Sequence, residues 1–113
     1  AAGMSYLEWL EDRFPRRLEL AQKLYFGLAA YNAGAGHVED ARRLAQRLGK
    51  DPDLWFDNVE TAMLLLSRPQ YARQARFGYV RGSEPVKYVR EIRNRYLGYV
   101  EFTEENNISA EPD

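Results

Sequence analysis

The sequence contains no cysteine and a single histidine, His37, among its 113 residues. Without cysteine the chain can form neither disulfides nor thiolate metal sites. One histidine is too few for a metal centre, and no nucleophile pattern stands beside it, so we assign His37 a structural role near a helix start. The sequence therefore predicts no metal ion and no cofactor.

An excess of either charge is also absent, since sixteen Lys and Arg stand against seventeen Asp and Glu. No long basic stretch offers the electrostatic footprint of nucleic-acid binding, so we exclude nucleic acid as a partner. No run approaches the roughly 18 apolar residues of a membrane span, and the first residues lack the charged-then-apolar plan of a signal peptide. A chain of this length has room for one domain with a single modest core.

What is present is apolar residues at helical spacing, with almost no strand signal, which predicts an all-α fold of about five helices. The predicted helices are residues 4–14, 17–31 and 37–48, a short helix after Asp57, and a last helix that starts at about Ser83 to Pro85. Asp57 and Glu60 resemble a capping box, and Trp55 and Phe56 are predicted core residues. Residues 70–83 lack a clean period and are predicted to be a partly ordered crossing loop.

The helical pattern stops at Tyr31-Asn32-Ala33-Gly34-Ala35-Gly36 and restarts at once. Glycine adopts positive φ at little cost, so this junction is typical of a helix end. Asn32 lies four residues after Leu28, which predicts a semi-buried amide. A buried amide needs partners, so Asn32 either caps its own turn or faces a cleft where a polar ligand completes it. A phosphate loop is rejected because a helix precedes the glycines and no Gly-Lys-Ser/Thr follows.

Four stretches of the sequence carry a resemblance: AAYNAGAGHVEDARRLAQRLGKDP, WF, LLSRPQY and RFGYVRGSEPVKYVREI. They resemble the C-terminal part of the catalytic domain of lytic murein transglycosylases, in particular the membrane-bound lytic murein transglycosylase F type. The resemblance implies a lysozyme-like helical fold. It also implies an enzyme that cleaves the bond between N-acetylmuramic acid and N-acetylglucosamine in peptidoglycan by closing a 1,6-anhydro ring. A periplasmic or outer-membrane location of the parent protein is implied in the same way.

The resemblance assigns residues 1–102 to the C-terminal part of this domain, whereas the acidic, polar residues 103–113 are predicted to form a disordered tail. The sequence contains neither the family's Glu-Ser motif nor its Gly-Leu-Met-Gln motif. The catalytic acid is therefore expected upstream of Ala1, and the chain alone is expected to be inactive. Five glutamates could be considered as a substitute for this acid, but they are predicted to lie on solvated helix faces or at helix starts: Glu8, Glu11, Glu19, Glu39 and Glu60.

The resemblance also names a set of glycan-groove residues. They are Tyr31, Asn32, Ala33 and Gly34 at the helix junction, Tyr79, Arg81 and Gly82 in the loop before the last helix, and Glu84 and Tyr88 at the start of that helix. Tyr88 matches the tyrosine held near the family's catalytic glutamate, and a capping or orienting role is assigned to Glu84. From the residues alone, Tyr79 packing on the core and Arg81 as a surface charge remain open.

Two other functions remain open at this point. One is a non-catalytic peptidoglycan-binding or helical interaction module, and the other is a hydrolase similar to goose-type lysozyme or a phage lysin. The domain's missing N-terminal part is also expected to leave an apolar surface through which the chain self-associates.

Overall fold

The computed structural model describes the backbone of residues 15–110 and the side chains of residues 19–104. Within that range the chain forms five α-helices and no strand, so the all-α prediction is confirmed. The helices are α1 (Pro15–Ala33), α2 (Ala35–Arg47), α3 (Glu60–Leu65), α4 (Pro69–Ala72) and α5 (Ser83–Ala110). The helix predicted at residues 4–14 lies outside the described residues.

A single residue, Gly34, separates α1 from α2. Its φ of 101° is a conformation that glycine adopts readily and other residues rarely do, which ends α1 without a longer loop. Its amide still donates to the Ala30 carbonyl at 2.8 Å, and its own carbonyl accepts from the Val38 amide at 3.3 Å. Helix α2 therefore begins at Ala35, two residues before the predicted start.

The core gathers around Trp55, which is fully buried between α1, α2 and α3. The Phe26 ring meets the indole edge to face at 5.8 Å between centroids, and the Trp55 amide donates to the Gln22 side chain at 2.9 Å. The half-buried Phe56 ring packs edge to face against Tyr25 at 4.9 Å. The core role predicted for the Trp-Phe pair is thus observed. The other buried apolar residues are Ala29, Val38, Ala41, Leu44, Ala45, Val59, Ala62, Met63, Leu66, Val80 and Val89.

The widened turn Trp55–Val59 leads into α3. Its Asp57 has a φ of 62°, unusual for a residue other than glycine. Half of the predicted capping box forms, because the Asp57 amide donates to the Glu60 carboxylate at 3.3 Å. The other half is absent, since the Asp57 side chain makes no capping hydrogen bond to α3.

The segment predicted as a crossing loop contains the one-turn helix α4 and then returns past α2 to α5. At its end Gly82 packs so closely on α3 that an added Cβ would lie 1.9 Å from the Met63 carbonyl oxygen. Helix α5 begins at Ser83, as predicted, and continues through Ala110. The helix therefore includes part of the segment 103–113, which the sequence predicts to be a disordered tail. Disorder of this segment in solution stays a prediction. Among the described residues, no helix has the length and apolarity to cross a membrane.

Candidate functional site

Two tyrosines join the end of α1 to the start of α5. The rings of Tyr31 and Tyr88 stack with centroids 6.4 Å apart and planes inclined by 27°. Tyr31 is 84% exposed, whereas Tyr88 is half-buried beside the fully buried Val89. The pair therefore presents one nearly free aromatic ring at the surface, supported from the side by a second ring.

Asn32 follows Tyr31 and is exposed, so the predicted semi-buried amide is wrong. Helix α1 turns Tyr25 and Ala29 into the core, while Leu28 lies at the edge of that face and is only half-buried. Asn32 lies four residues after Leu28, on the same side of α1. In the last turn of the helix this side is therefore no longer covered by the core. The Asn32 side chain is exposed and makes no hydrogen bond to any residue that the structure describes.

The remaining junction residues are constrained by the backbone. Ala33 is half-buried, and Gly34 takes its positive φ before α2 begins without a side-chain cap. Gly36 is needed for a different reason, because a Cβ there would lie 2.8 Å from the Phe77 ring. Gly34 thus allows the break between α1 and α2, and Gly36 allows the close approach of Phe77.

The loop of residues 76–82 lies between α4 and α5 and carries Tyr79 and Arg81. Gly78 has a φ of 75°, and the chain then exposes 62% of Tyr79 while it buries Val80. Tyr79 therefore does not pack on the core, which removes that alternative. Arg81 is exposed, and its carbonyl accepts the Glu84 amide at 3.1 Å.

Glu84 is exposed in the first turn of α5, where the free amides of a helix start favour an anion. It precedes Tyr88 by one helical turn. The sequence-predicted site residues thus occur at the end of α1, in loop 76–82 and at the start of α5. The structure directly joins the first and third of these through the Tyr31 and Tyr88 rings.

Glu60 departs from its predicted place on a solvated helix face, because it is only 5% exposed. Its two carboxylate oxygens accept hydrogen bonds from Arg90 Nη2 at 2.8 and 2.9 Å. The first turn of α3 faces α5, and the ion pair joins the two helices. Glu19 and Glu39 are exposed as predicted, whereas Glu8 and Glu11 lie outside the described residues.

Asp40 is a second buried carboxylate, which the sequence reasoning missed. Its Oδ1 accepts from Arg43 at 2.8 Å and from the Arg76 amide at 3.2 Å, and its Oδ2 accepts from the Phe77 amide at 2.8 Å. Burial alone would raise the pKa of this carboxyl, but the hydrogen bonds from Arg43 and the two amides, with the charge of Arg43, outweigh it and hold the pKa below its ordinary value.

His37 lies half-buried in the first turn of α2, with its ring 6.4 Å from that of Phe77. This packing agrees with a structural role near the helix start. Across the described part of the chain, no three side chains of His, Cys, Asp or Glu come together in a way that could hold a metal ion.

Comparison with known proteins shows what this chain is similar to. A family model described as "Transglycosylase SLT domain" matches residues 1–54. Similarity to curated proteins extends over most of the chain, at 45–50% identity to the relatives given next. The chain is thus similar to transglycosylase SLT domains, whose lysozyme-like helical fold agrees with the helices described above.

The relatives carry the name "Membrane-bound lytic murein transglycosylase F". The protein from Marinobacter nauticus is 45% identical over 108 residues, which is 96% of this chain and 21% of the relative. The protein from Shewanella frigidimarina is 48% identical over 83% of the chain and 20% of the relative. The protein from Maricaulis maris is 50% identical over 80% of the chain and 20% of the relative. The chain thus spans about a fifth of the length of these relatives.

Proposed function

We propose that this chain is part of a peptidoglycan lytic transglycosylase and supplies one wall of its glycan groove. The observation that carries the proposal is the stacked pair of Tyr31 and Tyr88, and the exposed Asn32 follows Tyr31 in the sequence. The proposed wall comprises Tyr31, Asn32, Ala33, Gly34, Tyr79, Arg81, Glu84 and Tyr88.

The chemistry of these groups suits an N-acetylated sugar. The apolar face of a sugar ring packs on an exposed aromatic ring such as Tyr31, which otherwise leaves apolar surface in water. The exposed Asn32 amide carries both a donor and an acceptor that suit hydroxyl or acetamido groups. A glycan strand along the groove would cover both groups.

The proposed reaction cleaves the β-1,4 bond after N-acetylmuramic acid and leaves a 1,6-anhydro sugar. It requires a carboxylic acid that first protonates the leaving oxygen and then deprotonates the attacking hydroxyl. Neither buried carboxylate suits this task. Glu60 is paired with Arg90, and the hydrogen bonds to Asp40 lower its pKa, whereas a general acid needs a raised pKa.

We infer that the acid is supplied by a part of the protein outside this sequence and that the chain alone is inactive. Incubated with purified murein sacculi, it should release no soluble fragments. Release would show that one of the present carboxylates acts as the acid. The coding region upstream of Ala1 should encode a Glu-Ser motif followed by Gly-Leu-Met-Gln, and a protein including that region should release anhydro-muropeptides. A reducing-end product instead would favour a hydrolase.

The role of Tyr31 can be tested by glycan binding. Tyr31→Ala should weaken binding of chitotetraose about five- to thirtyfold, because covering a ring face stabilises by about 1 to 2 kcal/mol. Tyr99→Ala is the matched control. Tyr99 is also an exposed tyrosine, 69% accessible, but it lies three helical turns after Tyr88 along α5. Equal affinity of the Tyr31→Ala variant and the wild type would contradict the proposed wall.

Location and self-association complete the proposal. The relatives are named membrane-bound, and we assign the parent protein to the periplasm or the outer membrane. The first half of α1 and the second half of α5 expose a set of large apolar side chains: Leu20, Leu24, Tyr96, Tyr99 and Phe102. We propose that the rest of the catalytic domain packs on this apolar face, and that a second copy of the chain does so in its absence.

A further inference from the structure

Most of the hydrogen bonds that Asp40 accepts come from the distant loop 76–82 and not from its own helix, α2. Its side chain is 1% exposed, and two of its three donors are the backbone amides of Arg76 and Phe77, which lie 36 and 37 residues further along the chain. Only one donor, Arg43, belongs to its own helix. Two adjacent amides pointing at one side chain need an acceptor at each oxygen, which a carboxylate provides and an amide does not.

These bonds fix the start of loop 76–82 on α2. The Phe77 ring also rests against Gly36, where an added Cβ would force the ring to shift. The other side-chain hydrogen bond from α2 to this region joins Arg47 to Gln74 at 3.1 Å and is exposed, so it contributes little. Asp40 is therefore the principal polar anchor of the loop among the described residues.

The far end of the loop is fixed independently. The Val80 amide donates to the Leu66 carbonyl at 3.4 Å, the Val80 side chain is buried, and Gly82 packs against Met63. Between the two anchored ends lie only Gly78, in its left-handed conformation, and Tyr79. A short span held at both ends has few conformations, so the anchors determine where the Tyr79 ring projects.

We infer that Asp40 is a positioning residue, which fixes the backbone of Arg76 and Phe77 and thereby holds Tyr79 at the glycan groove. The contribution to glycan binding rests on the proposed function, whereas the anchoring of the loop does not. Asp40 acts through the loop and touches no substrate.

The test compares Asp40→Asn with Glu60→Gln in the full chain. Asparagine keeps the shape of the side chain but turns an NH₂ group towards one of the two loop amides. Hydrogen exchange at the amides of residues 76–79 should accelerate at least about tenfold in Asp40→Asn. Glu60→Gln alters the other buried carboxylate, which joins α3 to α5, and should leave exchange in loop 76–82 unchanged.

A second variant reaches the same loop without changing a charge. Gly36→Ala places a Cβ 2.8 Å from the Phe77 ring, so the ring must move away from α2. Amide signals of residues 77–80 should shift in this variant too. It keeps the inference testable if Asp40→Asn does not fold.

Glycan affinity separates positioning from general stability. At a temperature well below the melting of all variants, Asp40→Asn and Gly36→Ala should each weaken chitotetraose binding about as much as Tyr79→Ala does, and Glu60→Gln should not. Unchanged loop exchange in Asp40→Asn together with unchanged amide signals in Gly36→Ala overturns the anchoring. Faster exchange with unchanged affinity overturns the positioning role, and so does an equal loss in Glu60→Gln. If the wild-type chain binds no glycan, the proposed function fails, and the exchange data alone decide the anchoring.

Discussion

Replacement of Gly82 by alanine tests the contact that sets the start of α5. An added Cβ would lie 1.9 Å from the Met63 carbonyl oxygen and 2.6 Å from its carbon. Carbon and oxygen atoms in contact normally stay about 3.3 Å apart, so the two segments must separate by more than about 1 Å. Both sides of the contact are backbone, and no side chain can rotate away to relieve it.

The expected cost lies at the upper end for overpacking, about 3 kcal/mol, and corresponds to a fall in melting temperature of roughly 12 to 24 °C. Urea and thermal unfolding followed by circular dichroism measure it. Gly98→Ala, on the helix that follows Gly82, is the matched control, because nothing lies within 4 Å of a Cβ there. That variant should be neutral or more stable by up to about 1 kcal/mol. A loss below about 1 kcal/mol in Gly82→Ala would refute the close approach.

Three further predictions concern charge and association. Arg90→Met should destabilise the chain by about 3 kcal/mol in urea unfolding, because it leaves the buried Glu60 carboxylate unpaired. Glu60→Met should cost less, because the Arg90 side chain that it leaves unpaired can reach water. Equal losses of stability in the two variants would contradict this asymmetry. Sedimentation of the wild type should show concentration-dependent dimers that Tyr99→Glu abolishes, and a strictly monomeric wild type would contradict the proposed apolar face. Folding lowers the pKa of Asp40, so the contribution of its carboxylate to stability is complete above the ordinary pKa of 3.8 and is lost as pH falls through the lower folded pKa. Urea unfolding of Asp40→Asn should lack this part of the acid dependence. Identical profiles of stability against pH for the variant and the wild type would contradict the prediction.

The longer helices were predictable because local pattern determines them. The break between α1 and α2 follows from Gly34, whose conformation excludes most other residues, and α5 begins at the predicted Ser83. Helix α4 was missed because its four residues are too short to show a period. Its existence depends on Pro69 at its first turn and on Tyr71 packed against the core.

The buried carboxylates were not predictable from spacing. Asp40 is adjacent to the exposed Glu39, and nothing local distinguishes the two acids. Asp40 is buried because distant backbone amides meet it, and Glu60 is buried because Arg90 on α5 meets it. Spacing likewise did not predict that Tyr31 meets Tyr88, whereas the family resemblance predicted both as site residues.

The most direct test of the glycan groove is amide chemical-shift mapping of the isotope-labelled chain during titration with chitotetraose. The account predicts that shifts concentrate at residues 31–36 and 79–88, where α1, loop 76–82 and α5 carry the proposed wall. Shifts confined to the apolar face around residues 96–102, or no shifts at millimolar ligand, would contradict it.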